Sequence, residues 1–190
     1  MAPADAGYDS EELTDEDLLI SIANTGFQEF DELADAGTIS GWWSELTASA
    51  PSSAESFPTS ERKSVERLLA LRTVIRQLAW ANNGVFIEDD PAAEASLSVL
   101  ALRPDFSGGR LSLRPGRSTG SVDTINAVGV AALMRVMARP SWPRFKACHA
   151  LDCGWVFIDG SRNLSRRWCD MGDCGNRAKG AAFRARAQQA

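Results

Sequence analysis

Cysteine is absent before position 148, and histidine occurs once in 190 residues, as His149. A body without thiol or imidazole has neither the usual nucleophile nor the usual proton carrier of an active site. No glycine-rich phosphate loop interrupts it. No apolar run approaches the roughly eighteen residues that a membrane-spanning helix needs. The first residues, MAPADAGYDSEELTDED, are acidic, with no basic stretch and no apolar segment of the kind an export signal carries. Together these absences lead to an expectation of a cytoplasmic protein that is neither an enzyme nor a membrane protein.

What is present is unevenly placed. The formal net charge is -5. Residues 1–143 carry 11 Lys/Arg against 21 Asp/Glu, giving -10, while residues 144–190 carry 9 against 4, giving +5. A compact basic tail behind an acidic body suits a polyanion-binding module attached to something that is not one. The alternative is a tail that docks on its own acidic body.

All four cysteines lie in that tail, at Cys148, Cys153, Cys169 and Cys174, as C-x4-C-x15-C-x4-C. Two equal knuckles separated by a hairpin-length stretch can aim four thiolates at one point, the donor set of a closed tetrahedral zinc site. A closed shell leaves no position for a catalytic water, so one zinc ion here is structural. The segment holds only about forty residues, too few to bury a sizeable core, so metal binding supplies its folding energy. Two disulfides would need an oxidising compartment, against the expectation above.

Along the chain, residues 1–12 read as disordered and residues 50–60 as a linker. Thr14 to Asp17 has capping-box character before Leu18, Leu19, Ile20 and Ile22, a run short enough to be helix or strand. Ile39 to Leu46 predicts a short helix. Ser60 to Asn82 predicts the longest one, with Val65, Leu68, Leu69, Arg72, Ile75, Leu78 and Ala79 at helical steps and Asn82-Asn83-Gly84 as its stop. Pro91 to Leu100 predicts another short helix. Leu102 to Arg114 predicts a hairpin turning at Ser107-Gly-Gly109, and Asp123 to Ala138 a helix capped by Ser121. In the tail, Gly154 to Ile158 predicts one strand and Arg166 to Trp168 its return, with a helix from Cys174 to Arg186. The fold class is α+β: a helix-rich N-terminal domain with a small β-hairpin over 13–140, then a treble-clef-like four-cysteine zinc finger over 144–190.

The stretch C-x4-C-G-W-V-F-I-D-G-S-R-N-x-x-R-R-W-C-x-M-x-x-C-G-N-R-x-K closely resembles the CGNR zinc finger over about residues 144–186. Phe157, Asp159, Ser161, Asn163, Arg166, Arg167, Trp168, Met171, Cys174 to Arg177 and Lys179 carry that resemblance. In that family the finger follows an ABATE domain. The body resembles one through Asn24-Thr25, Trp42-Trp43 and Leu71-Arg72. The resemblance implies a bacterial, stress-induced transcription regulator that binds DNA, with an RNA-binding module or a protein–protein adaptor as the alternatives.

Nucleic-acid contacts are expected from Arg166, Arg167, Arg177, Lys179 and Arg184, because guanidinium forks hold phosphate or guanine bidentately. On a helix Arg177 and Arg184 fall about 20° apart, and Lys179 and Arg186 form a second stripe roughly opposite. Arg177 and Arg184 are therefore the preferred pair, with Arg166 and Arg167 clamping from the hairpin and Phe183 packing on the finger. The competing role for Arg177 is to neutralise the thiolates. On that competing account Asp159 pairs with Arg167, while Trp155 and Trp168 are expected to form the finger's apolar core and His149 to lie in a loop. In the body, Asn24, Thr25, Arg72 and Arg76 are the groups a small anionic ligand would meet. Internal pairing of Arg72 with Glu29, Asp31 or Asn24 is the simpler account. On this reading Cys153→Ser unfolds the finger and leaves the body's melt intact.

Overall fold

The computed structural model describes residues 13–26, 31–47, 62–86, 88, 90–106, 112–116, 121–150 and 152–187. Residues 1–12, the 50–60 segment, Glu29 and the Ser107-Gly-Gly109 turn lie outside the described residues, as does the side chain of Ser121.

Helix α1 (Asp15–Asn24) begins at the expected capping box: Thr14 Oγ1 accepts from Asp17 N at 3.1 Å, and the Asp17 carboxylate accepts from Thr14 N. Leu18, Leu19, Ile22 and Ala23 form its buried stripe, which settles the run as helix. Its acidic first turn suits the helix dipole and also meets Arg135 and Arg139, both of which pair with Asp15. Helix α2 (Ala36–Leu46) starts three residues earlier than the apolar pattern suggests, because Asp35 caps it by accepting from Gly37 N and Thr38 N.

Helix α3 (Arg62–Asn82) buries Leu68, Leu71, Ile75 and Ala79 at three- and four-residue steps. At 21 residues it runs about 31 Å, the longest helix among the described residues. Helix α4 (Pro91–Leu97) has Asp90 as its cap and proline in its first turn. Strands β1 (Leu102–Asp105) and β2 (Ser112–Pro115) pair antiparallel, Leu102 opposite Pro115, as the hairpin reading expects. Helix α5 (Ser121–Met137) packs Val122, Ile125, Ala132, Leu133 and Val136 against α1 and α3.

The tail departs from its expected strand pairing. Strand β3 (Phe145–Ala147) precedes the first cysteine and pairs antiparallel with β4 (Val156–Ile158), Ala147 opposite Val156. Arg166 to Trp168 forms no strand; instead Arg167 O accepts from His149 N and from Asn83 Nδ2, both at 2.9 Å. The partner of β4 is therefore upstream of the knuckles. A wide turn (Met171–Gly175) leads into α6 (Asn176–Ala187). Phe183, expected to pack on the finger, is instead 67% exposed, and α6 buries none of its residues.

Strands β3 and β4 also belong to the body's core: Phe145, Ala147 and Val156 are buried in the same apolar cluster as α1, α3 and α5. Three asparagine amides bind the small sheet from outside. Asn24 Nδ2 donates to Val156 O at 3.0 Å while its Oδ1 accepts from Val156 N at 2.7 Å. Asn82 Nδ2 donates to Phe145 O at 2.9 Å, and Asn83 Nδ2 to Ala147 O at 2.7 Å. Asn24→Ala strands two polar groups of a fully buried residue, which should lower stability by about 2–5 kcal/mol. Urea unfolding midpoints measure this; a shift of only a few tenths would show that Asn24 does not hold β4.

Candidate metal centre and nucleic-acid interface

The first knuckle turns between Cys148, at the end of β3, and Cys153. Cys148 N donates to Trp155 O at 2.8 Å, and Ala150 O accepts from Cys153 N at 3.0 Å. Gly154 closes the turn at φ +64, and a Cβ there would meet the Trp80 ring at 3.3 Å. That position therefore needs glycine for both its backbone angle and its neighbour. Trp80 Nε1 in turn donates to Cys148 O at 2.7 Å, so α3 grips the knuckle directly. The second knuckle is shaped by Asp170, whose Oδ1 accepts from Asp173 N at 2.9 Å and whose carbonyl accepts from Gly175 N.

These turns bring the four sulfurs within 4.8 Å of one another, with Cys153 and Cys169 at 3.6 Å and Cys169 and Cys174 at 3.8 Å. Tetrahedral zinc with sulfur at its usual distance separates the sulfurs by about 3.8 Å, so the cluster fits one structural zinc ion. Burial pushes the Cys153 thiol up to about 11 and the Cys169 thiol higher still. Metal-bound thiols are deprotonated outright, so the dication supplies what the apolar surroundings withhold. Burial also works against ionising Cys174, but the Arg177 guanidinium 3.2 Å from its sulfur brings that thiol below its ordinary value.

Arg177 thus bonds within the metal centre, where it also bonds Asp152 at 3.0 Å and lies 3.4 Å from Asp173. Arg166 folds back as well: Nε donates to Trp168 O at 2.9 Å, Nη2 bonds Cys169 O, and the guanidinium lies 4.7 Å over the Phe157 ring. Arg167 Nη2 meets His149 Nε2 at 2.6 Å. Lys179 and Arg184 are exposed on α6, with no hydrogen bond or ion pair to another described residue, and so is Arg186.

Asp159 does not pair with Arg167. It accepts from Lys146 Nζ at 2.7 Å, and the two side chains are 0% and 6% exposed. It also accepts from Ser161 N, Ser161 Oγ and Arg166 N, so one buried carboxylate sets the whole 159–166 loop. Lys146 escaped the sequence reading because it looks like one more cation of a basic tail. A lysine flanked by two apolar residues, Phe145 and Ala147, was the available signal. Nor do the tryptophans form the core. Trp155 is 40% exposed and Trp168 stands edge-on to His149; Phe145, Val156 and Phe157 fill the interior instead.

In the body, Arg72 pairs with Asp31 through two bonds of 2.7 and 2.9 Å, one of the internal partners expected for it. Arg76 donates to the carbonyls of Ala23, in the last turn of α1, and of Thr25 and Gly26 just past it, and Thr25 Oγ1 donates to Ile22 O. Asn24, Thr25, Arg72 and Arg76 are therefore brought together, and each is bonded within the protein. A separate apolar hollow of about 560 Å³ lies between α3 and α4, lined by Val74, Leu78, Ala81, Val85 and Phe86 with Asp90 and Glu94 at its edge.

Residues 144–187 match the model of the CGNR zinc finger family, and no curated protein matches the chain. That match covers 44 of 190 residues and includes all four cysteines. No described helix is long and apolar enough to cross a membrane.

Proposed function

We propose that the chain is a bacterial, cytoplasmic DNA-binding transcription regulator whose zinc finger contacts the nucleic acid, and that it is not an enzyme. One observation carries this: α6 leaves the metal centre with four cations, no acid and no buried residue. A helix that contributes nothing to the core yet concentrates charge of one sign is a polyanion contact. Lys179 and Arg186, which share one face of α6, are the phosphate contacts, and Arg184 lies on the other face. Arg166, Arg167 and Arg177 support them by holding the knuckles, since their guanidinium groups are used inside the finger. Four thiolates fill the zinc shell, so the metal has no open position for chemistry.

The finer reading, an ABATE-like body that responds to stress by sensing a small ligand, rests on the motif resemblance. At Asn24, Thr25, Arg72 and Arg76 such a ligand would be an anion that displaces Asp31 from Arg72. A second reading, a protein–protein adaptor, draws on the exposed Phe183.

The test is fluorescence anisotropy of random-sequence duplex DNA with the zinc-loaded protein, titrated with salt. Binding should weaken with a log–log slope of about 0.9 per phosphate contacted, and Lys179→Ala with Arg186→Ala should reduce the slope by about 1.8. No binding at low salt to this duplex or to a single strand of the same sequence would remove the basis of the nucleic-acid reading and favour the adaptor.

A further inference from the structure

The same helix carries an aromatic group that phosphate binding alone leaves without a task. At about 100° per residue, Lys179, Phe183 and Arg186 fall within about 60° of one another, while Arg177 faces the other way. Arg177 is the residue tied to the metal centre, so this trio looks away from it. Phe183 is 67% exposed, and its neighbours three and four positions away are Lys179, Gly180, Arg186 and Ala187. A helix that docks into a protein groove presents a stripe of apolar anchors along one face. Here a lone aromatic ring stands among cations, which is the composition of a base-stacking site: rings take the bases and cations take the backbone.

We infer that Phe183 stacks on a base of an unpaired strand, with Lys179 and Arg186 on the flanking phosphates. This rests on the nucleic-acid reading above and names its substrate more closely. An unpaired strand is favoured over a duplex because inserting a ring into a duplex must first unstack a base step. Trp155, the other exposed ring of the finger, is poorly placed for the same work. It lines the hollow beside the thiolates with Asp152, Asp170, Asp173 and Arg177, three acids against one cation that is already paired with Asp152.

The experiment titrates the zinc-loaded full chain, and its Phe183→Ala, Phe183→Leu and Phe183→Trp variants, against a short mixed-sequence DNA strand containing one fluorescent adenine analogue. A matched duplex serves as the second arm. Phe183→Ala should weaken single-strand binding about tenfold with an unchanged salt slope, because stacking releases no counterion. Phe183→Trp should restore binding and Phe183→Leu should not, and wild type should quench the analogue. Equal single-strand affinity for wild type and Phe183→Ala, or full rescue by leucine, would overturn the inference. Wild type that binds the duplex while Phe183→Ala changes nothing would sink this inference and leave the DNA reading standing. Failure of wild type to bind either form would sink both. Self-association in sedimentation that disappears in Phe183→Ala, without a loss of strand binding, would also overturn it, by making Phe183 an interface between copies.

Discussion

Removing zinc, by chelation or by Cys153→Ser, is expected to unfold the whole described chain rather than the finger alone. A finger hung on a linker would lose its metal and leave the body's melt unchanged, which is what the sequence by itself leads one to expect. The packing leads elsewhere. Phe145, Ala147 and Val156 lie in the body's own apolar cluster, and the strands that carry them lead directly into the first knuckle. Trp80 and Asn83, at the end of the longest helix, bond Cys148 O, Ala147 O and Arg167 O.

Structural zinc contributes on the order of 10–16 kcal/mol in isolated fingers, comparable to the roughly 5–15 kcal/mol that holds an ordinary domain folded. Even a fraction of that loss, passed to α3 through these bonds, should abolish the cooperative melt or lower its midpoint by well over about 10 °C. Calorimetry of zinc-loaded, chelated and Cys153→Ser protein measures it. A transition that keeps its midpoint and enthalpy while the metal is gone would show the two parts to be independent.

Lys146→Met should cost about 3–5 kcal/mol, a large effect for a residue that contacts no metal. The substitution keeps volume but leaves the Asp159 carboxylate buried without its cation. Lys146 Nζ also donates to Leu164 O at 2.5 Å and Arg166 O at 3.3 Å, so the segment leading to Cys169 loses its anchor as well.

The pH dependence follows from the same carboxylate. Burial works to raise Asp159, but the Lys146 ammonium and the Ser161 bonds outweigh it and hold the group well below the ordinary carboxylate range. A depressed native value means that the charge stabilises the fold fully above about pH 3.9, the unfolded value. The contribution is lost as pH falls below that, toward the native value. The deficit of Lys146→Met should therefore be largest where the stranded carboxylate is ionised and should narrow as pH falls and that carboxylate takes up a proton. Urea midpoints across pH read this directly. A deficit under about 1 kcal/mol at pH 7 would mean that the pair is dispensable. Adding Asp159→Asn should cost less than the two single changes summed, since both belong to one network.

Much of the body was legible because its signals are local. Thr14 announces α1, the helical spacing of Leu68, Ile75 and Ala79 runs through α3, Pro91 opens α4, and the cysteine spacing announces the metal. What escaped depends on residues far apart in sequence. Phe145 to Ala147 looks like approach chain, and only a partner across the first knuckle turns it into a strand. Lys146 reads as surface charge until Asp159, thirteen positions on, meets it in the interior. Asn82 and Asn83 read correctly as a helix stop, yet nothing nearby says that their amides bond the finger's backbone. Asn24, grouped with a ligand site by its polar neighbours, also bonds β4, which no local pattern announces. Arg177 is ambiguous in the sequence: three positions past a ligand cysteine, the same guanidinium suits phosphate or thiolate, and its bond to the Cys174 sulfur could not be read from spacing.

The three asparagines have a consequence beyond holding parts together. A two-stranded ribbon normally shows rows of unpaired backbone groups on both flanks, an open template for a strand from another molecule. Here Asn24 occupies the outward N–H and C=O of Val156, and Asn82 and Asn83 occupy the outward carbonyls of Phe145 and Ala147. Side-chain amides imitate the peptide groups that a neighbouring strand would offer, so those sites have no vacancy for an incoming chain. Among the described residues, the ribbon that carries the first cysteine is thereby shielded from recruitment into intermolecular sheet. That protection depends on the folded body, because all three amides are supplied from α1 and from the end of α3.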